Sequence, residues 1–250
     1  MTRPQAGFLV RVAGTGTSPC LFRDREGVDW WAKWPGNPHG MAPLANELIV
    51  GRLGAIIGAP VPPVSLLDVP DALVRRAGLL GLLPGPWVAS RQVQGDFSDL
   101  VQYHSRDDNA HRLPRFLALW LWASGFDEQY LYDGTAHQSA WSIDYGMWLD
   151  CSESDWLASD IRPNSLSERP AGYAHADDPT ELSTTADIVE SVTDDLVRSI
   201  LSEVPIEWNI PPDRLDRVAE HLIDRRPAVA DHLRVTAARS SRPTGRGGDH

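Results

Sequence analysis

The chain is expected to fold as an α+β protein in two lobes, a small antiparallel sheet carrying one helix followed by a larger, mainly helical part. Three observations predict this. Short aromatic and β-branched runs separated by turn residues fill positions 8–34. A helical apolar period begins near Ala42, and beyond residue 110 strong helical patterns surround one hairpin-like stretch. The boundaries read as residues 1–90 for the first lobe, 91–238 for the second, and 239–250 as a disordered tail rich in Gly, Arg and Ser.

In order, "FLVRVAG", "CLFRD" and "DWWAKW" read as three strands of a meander. The turn between the first two contains Gly14, Thr15, Gly16, Thr17 and Ser18, whose glycines let backbone N–H groups approach a ligand and whose hydroxyls add donors; an ordinary hairpin turn is the plain alternative. "APLANELIVGRLGAIIG" spaces Leu44, Leu48, Leu53, Ile56 and Ile57 for a helix, stopped by Gly58 and Pro60. Glu47, Gly51 and Gly54 fall along one line of it, placing a carboxylate beside two positions of close backbone approach. "VPPVSLLDV" and "GPWVASRQV" read as further strands, with "PDALVRRAGLLGLLPG" between them as a loop or short helix.

"PRFLALWLWASG" is apolar on nearly every face and should be a buried helix with Pro114 in its first turn. "YLYD" and "AWSI", joined by "GTAHQS", form a hairpin that ends on Asp144. Residues 151–184 look like a long surface excursion. Ile188, Val189, Val192, Leu196, Val197, Ile200 and Leu201 make a strong amphipathic pattern, and "PPDRLDRVAEHLIDRRPAVADHLRV" supplies two more helices, with Pro227 at a first-turn position.

Composition narrows the function. The 250 residues carry a net charge of −11, which argues against direct binding to nucleic acid or to anionic membranes, since both require clustered Lys and Arg. Cys20 and Cys151 stand far apart with no zinc-ligand spacing, which fits a reducing cytoplasm, and no apolar run is long enough for a signal peptide or a membrane span. Among the 10 Trp, core use is commoner than stacking platforms for sugars or bases.

Asp144 admits two readings. It can begin a turn that Gly146 completes. Alternatively, in phosphoryl-transfer sites a carboxylate after such a hairpin, followed by a bulky residue and a Gly, holds the Mg²⁺ that bridges nucleotide phosphates, and "DYG" has that form.

Four blocks, "VAGTGTSPCLF", "WWAKWPGNPHG", "LANELIVGRLGAIIGAPVPPV" and "WLWASGFDEQYLYD…WSIDYGMWL", with "EVPIEWNIPPDRLDRVAEHLIDRRP" near the C-terminus, resemble the stand-alone HipA-like kinases. The resemblance covers most of the chain and implies a bilobal protein kinase-like fold that transfers the γ-phosphoryl group of ATP to a Ser or Thr hydroxyl of a protein substrate. It implies that Lys33 holds the α- and β-phosphates and pairs with Glu47, that Gly14 to Ser18 cover the phosphates, and that Asp144 binds Mg²⁺. Asp127 would be the catalytic base. The family's metal-binding Asn has no counterpart in this loop; anchoring on the hairpin puts Gln129 there, and the loop is about three residues short of the kinase template. A catalytically impaired kinase-fold module that binds nucleotide or a protein is therefore the alternative. A third reading pairs Asp127 with Asp144 as the carboxylates of a glycoside hydrolase, and leaves Lys33 and Glu47 unexplained.

Overall fold

The computed structural model describes residues 3–14, 18–36, 40–79, 81–149, 151–152, 155–156, 165–166, 168–173 and 178–241. Strands β1 (Ala6–Val12), β2 (Cys20–Asp24) and β3 (Asp29–Lys33) form the expected meander. Helix α1 (Ala42–Ile57) follows, then β4 (Val64–Val69), the short α2 (Asp71–Arg76) and β5 (Gly85–Arg91). The five strands make one antiparallel sheet in the order β1-β2-β3-β5-β4, so Lys33 stands on the central strand, not an edge.

Alternation along β3 explains how this sheet serves two purposes. Trp30 and Ala32 point to one face and pack with Phe22, Leu67 and Trp87 into a small core cluster. Trp31 and Lys33 point to the other face, where Val88, opposite Lys33, and Ser90, opposite Trp31, join them. The second face covers the cleft described below.

Helix α1 is buried on almost every side and ends at Gly58, whose left-handed φ of 68° lets its N–H reach back into the last turn. The two close approaches expected of its glycines are present. A Cβ on Gly51 would strike Val64, and one on Gly54 would lie 2.7 Å from Val61 and 2.9 Å from Leu119. The helix is thus wedged between β4 and α3, with no room for a larger residue.

The remainder comprises β6 (Asp96–Ser98), α3 (Asn109–Trp122), β7 (Gln129–Asp133), β8 (Ser139–Ile143), the two-residue strands β9 (Cys151–Ser152) and β10 (Asp155–Trp156), α4 (Pro179–Ser191), α5 (Asp194–Ser202) and α6 (Pro212–Ser240). The β7–β8 hairpin is in the expected place, and β6 adds to it as a third strand. One continuous apolar core runs from Leu66 and Val88 of the sheet through α1 and α3 to Ala237 of α6.

Three local expectations need correction. Pro114 is not in the first turn of α3, which starts five residues earlier at Asn109. The amphipathic run from Ile188 to Leu201 is two helices, because Val192 turns extended and Thr193 caps α5 by accepting the Leu196 N–H at 3.2 Å. The last two helices are a single one, α6, with Pro227 inside it. Leu222 precedes that proline and Val229, Ala230 and Leu233 follow it on the buried side. Burying that stripe outweighs the roughly 3 kcal/mol that an interior proline costs a helix. Residues 242–250 lie outside the described part.

Candidate active site

A cleft of about 710 Å³ lies between the five-stranded sheet and the β6–β7–β8 sheet. Trp31, Lys33, Val64 and Val88 line its roof; Leu131, Ile143, Gln129 and Phe97 line its floor; the end of β5 at Ser90 and Arg91 and the connection 92–95 to β6 close one side. Glu47 and Asp144 complete the inner end.

Three elements converge there. Lys33, at the end of β3, donates to Glu47 Oε1 at 2.5 Å and to Asp144 Oδ1 at 2.7 Å. The side chains of Lys33 and Glu47 are 17% and 10% exposed, while Asp144, at 37%, is the most open of the three to the cleft. Burial alone would lower the Lys33 ammonium, but the charges of Glu47 and then Asp144 outweigh it and raise its pKa. Burial pushes the Glu47 carboxyl up to about 7, against the pull of Lys33. Burial also works upward on Asp144, yet Lys33 overrides it and holds that carboxyl below its usual range. Asp144 therefore stays anionic and Lys33 cationic through neutral pH, which is the charge pattern needed to position a polyphosphate.

The backbone at Asp144 has φ 62°, a left-handed conformation that Asp tolerates better than most residues. What secures it is Asn46, fully buried on α1 beside Glu47. Its Nδ2 donates to Gly146 O at 3.0 Å and to Trp148 O at 2.6 Å. Tyr145 is buried against Trp148, with its hydroxyl bonded to Ser142 O. A Cβ on Gly146 would sit 3.4 Å from Pro43 and 3.5 Å from Glu47 Oε1, so the segment lies flat on the first turns of α1. Sequence reasoning found Lys33, Glu47 and Asp144 but missed Asn46, whose partners stand 100 and 102 positions away.

The loop after α3 is set by Gly125, where a Cβ would collide with the Trp120 ring and whose N–H bonds to Trp120 O at 2.7 Å. Asp127 follows in a left-handed conformation at φ 51°, exposed, and accepts from Gln129 Nε2 at 3.2 Å. Asp127 is not among the residues lining the cleft; Gln129 is. Glu128 turns the other way, accepting from Ala171 N at 2.7 Å and Tyr130 OH at 3.2 Å. Of the glycine-bearing turn, Gly14 and Ser18 are described and exposed, and Ala13 N to Pro19 O at 2.9 Å closes its base. Thr15, Gly16 and Thr17 lie outside the described residues. Ala13 and Pro19 line the cleft, which brings the turn to its outer edge.

Among the described residues no group of three or more His, Cys, Asp or Glu could hold a metal by itself. A nucleotide-bridged Mg²⁺ needs less, one or two oxygen donors from protein and the rest from phosphates and water. Asp144 and the Gln129 amide oxygen, both lining the cleft, fit that donor set; the Gln129 Nε2 is turned to Asp127, which leaves Oε1 for a cation. The glycoside hydrolase reading finds no support: Asp144 is paired with Lys33, Asp127 lies outside the cleft, and Trp87, Trp120, Trp122, Trp148 and Trp208 are buried in the core. Among the described residues no helix is long and apolar enough to cross a membrane.

The chain matches no protein-family model, and no curated protein matches it. Solved structures do. A Helicobacter pylori proinflammatory kinase, CtkA, is similar at 12% identity with a TM-score of 0.58, over 96% of this chain and 98% of that one. Golgi casein kinase is similar at 11% identity and TM-score 0.51, over 98% of this chain and 74% of that one. Its Mn/ADP-bound structure is similar at 10% identity and TM-score 0.53, over 96% and 74% respectively. At such identities the likeness concerns the fold, and the fold is α+β and protein kinase-like.

Proposed function

We propose that this protein is a HipA-like kinase that transfers the γ-phosphoryl group of ATP to a Ser or Thr hydroxyl of a protein in the cytoplasm, with residues 1–90 and 91–238 as its two lobes. The observation that carries the reading is Lys33, bonded at once to Glu47 on α1 and to Asp144 beyond β8, inside a cleft large enough for a nucleotide. An ammonium held by two carboxylates from separate elements is positioned in advance, so ordering a flexible triphosphate costs less at the moment of binding.

The proposed roles are these. Val64, Val88, Leu131 and Ile143 give the base an apolar slot. Lys33 binds phosphate oxygens, with Glu47 fixing its direction, and Gly14 to Ser18 close over them. Asp144 and Gln129 would hold Mg²⁺, which when bound neutralises phosphate charge and orients the leaving side. Asp127, in the exposed loop just before Gln129, would accept the proton of the substrate hydroxyl as its oxygen attacks the γ-phosphorus and the bond to the β-phosphate oxygen breaks, leaving ADP.

Golgi casein kinase has been solved with Mn/ADP bound, which supports nucleotide and divalent-metal use in this fold. A second reading, a nucleotide-binding module without transfer, is favoured by one observation: Asp127 is exposed and held by a single 3.2 Å bond from Gln129. Calorimetry with Mg·ATP and transfer of label from γ-labelled ATP separate the two. Binding that weakens in Lys33→Ala, together with transfer, is the expected result. Binding without transfer to any protein or to water under any metal condition establishes the second reading, and equal affinity in parent and Lys33→Ala removes both.

A further inference from the structure

Cross-strand partners on an antiparallel sheet point to the same face, and Arg11, Leu21, Trp31 and Ser90 form one such row across β1, β2, β3 and β5. Arg11, Trp31 and Ser90 of that row line the cleft. Trp31 stands two residues before Lys33 on β3, with its side chain on the same face, so it lies over the part of the slot away from the phosphates. A large indole there is costly to leave half-covered unless something packs on it. Arg11 supplies one cover, its guanidinium 4.8 Å from the ring centroid, and Arg11 makes no ion pair among the described residues.

The backbone on the closing side points the same way. The N–H of Arg91 is bonded to Pro63 O at 2.8 Å and that of Gln92 to Asp29 O at 2.8 Å. The amides of Arg91 and Gln92 are therefore committed within the protein and do not serve to read the edge of a base.

We propose that Trp31, steadied by Arg11, is a stacking platform for the nucleotide base, and that this site recognises a purine nucleoside triphosphate by its π-face more than by its hydrogen-bonding edge. This rests on the phosphotransferase reading above. Stacking tolerates any base that presents a flat face, so adenine and guanine nucleotides should both be accepted.

The test is calorimetric titration of the full chain with Mg·ATP, Mg·GTP and magnesium tripolyphosphate. The parent should bind the two nucleotides within about tenfold of each other, because base stacking is sequence-tolerant. Trp31→Leu keeps the roof filled but removes the π-face; it should weaken both nucleotides by on the order of tenfold and leave tripolyphosphate unchanged, while Trp31→Phe keeps most of the affinity. Arg11 is exposed, so Arg11→Ala keeps the fold even if the Trp31 variants do not, and should weaken both nucleotides by a smaller factor, again sparing tripolyphosphate. Nucleotide affinities unchanged in Trp31→Leu, or unchanged in Arg11→Ala where the Trp31 variants fail to fold, overturn the proposal, as does a parent that prefers ATP to GTP by a hundredfold or more. A parent that binds neither nucleotides nor tripolyphosphate overturns the phosphotransferase reading itself and this inference with it, an outcome distinct from failure of the platform alone.

Discussion

At the inner end of the cleft, β3, α1 and the segment after β8 meet in a fully partnered cluster: Lys33 bonds two carboxylates, and Asn46 ties the backbone of Gly146 and Trp148 to the helix that carries Glu47. In the loop after α3, which would form the lip of the site in the proposed reaction, Phe126 is 63% exposed and Asp127 has one long hydrogen bond. The inner end is preorganised, as electrostatic positioning requires. The loop after α3 is open by contrast, which is the division the proposed reaction calls for, a constant nucleotide at one end and a variable protein hydroxyl at the other.

The sharpest way to break that division is at the lip. Asp127→Asn should lower turnover by on the order of 10² to 10⁴ with ATP affinity little changed, the usual scale for a positioned base. Single-turnover transfer and calorimetry on the same sample check it, and a matched loss of affinity would show that the lip is not separable from the inner end.

The next largest effect belongs to the inner end and reads out in stability. Asn46→Ala leaves two buried carbonyls without their donor and should cost about 3 kcal/mol in urea unfolding. Because the same bonds hold the Asp144 segment, Mg²⁺-dependent ATP affinity should fall too, a coupling that no lip substitution shares.

A smaller effect is a slope with pH. Glu47 has its folded-state pKa raised, from 4.5 to about 7. The folded state then binds more protons than the unfolded state across that window, so the nucleotide-free protein should lose stability as pH rises from about 4.5 through about 7. Glu47→Gln should flatten this part of the curve in thermal unfolding followed across pH. An unchanged slope would place the titrating group elsewhere.

The smallest change is expected at Arg52 and Glu203, a 2.9 Å pair between α1 and α5 whose side chains are 35% and 41% exposed. Glu203→Gln should cost less than about 1 kcal/mol and leave nucleotide binding alone. A larger loss would mean that contact outside the cleft is transmitted along α1.

What could be read from the sequence follows from how local its causes are. Lys33, Glu47 and Asp144 each sit in a short pattern that announces them: alternation on a strand, a carboxylate in line with two glycines, an aspartate ending a hairpin. Asn46 sits in no such pattern, since a polar residue inside a helix gives no sign of carbonyls 100 positions away. "GPWVASRQV" reads as one strand through Val93, whereas β5 ends at Arg91 and the residues after it wall the cleft, a role that depends on what lies opposite. Pro114 and Pro227 misled for a related reason. The local cost of a proline is fixed, whereas the burial that outweighs it is set by α3 and α6 packing in the core.

Trp208 illustrates a further kind of long-range cause. It lies in a short 3₁₀ turn, Ile206–Trp208, and is 1% exposed; its indole N–H donates to Pro86 O at 2.9 Å, at the start of β5. A hydrogen bond of this kind, seated in a buried aromatic plug, works as a clasp: it joins the segment before α6 to the strand that carries Val88, the cross-strand partner of Lys33. Loosening the clasp should therefore be felt at the roof of the cleft, two residues away along β5, before it is felt at the surface.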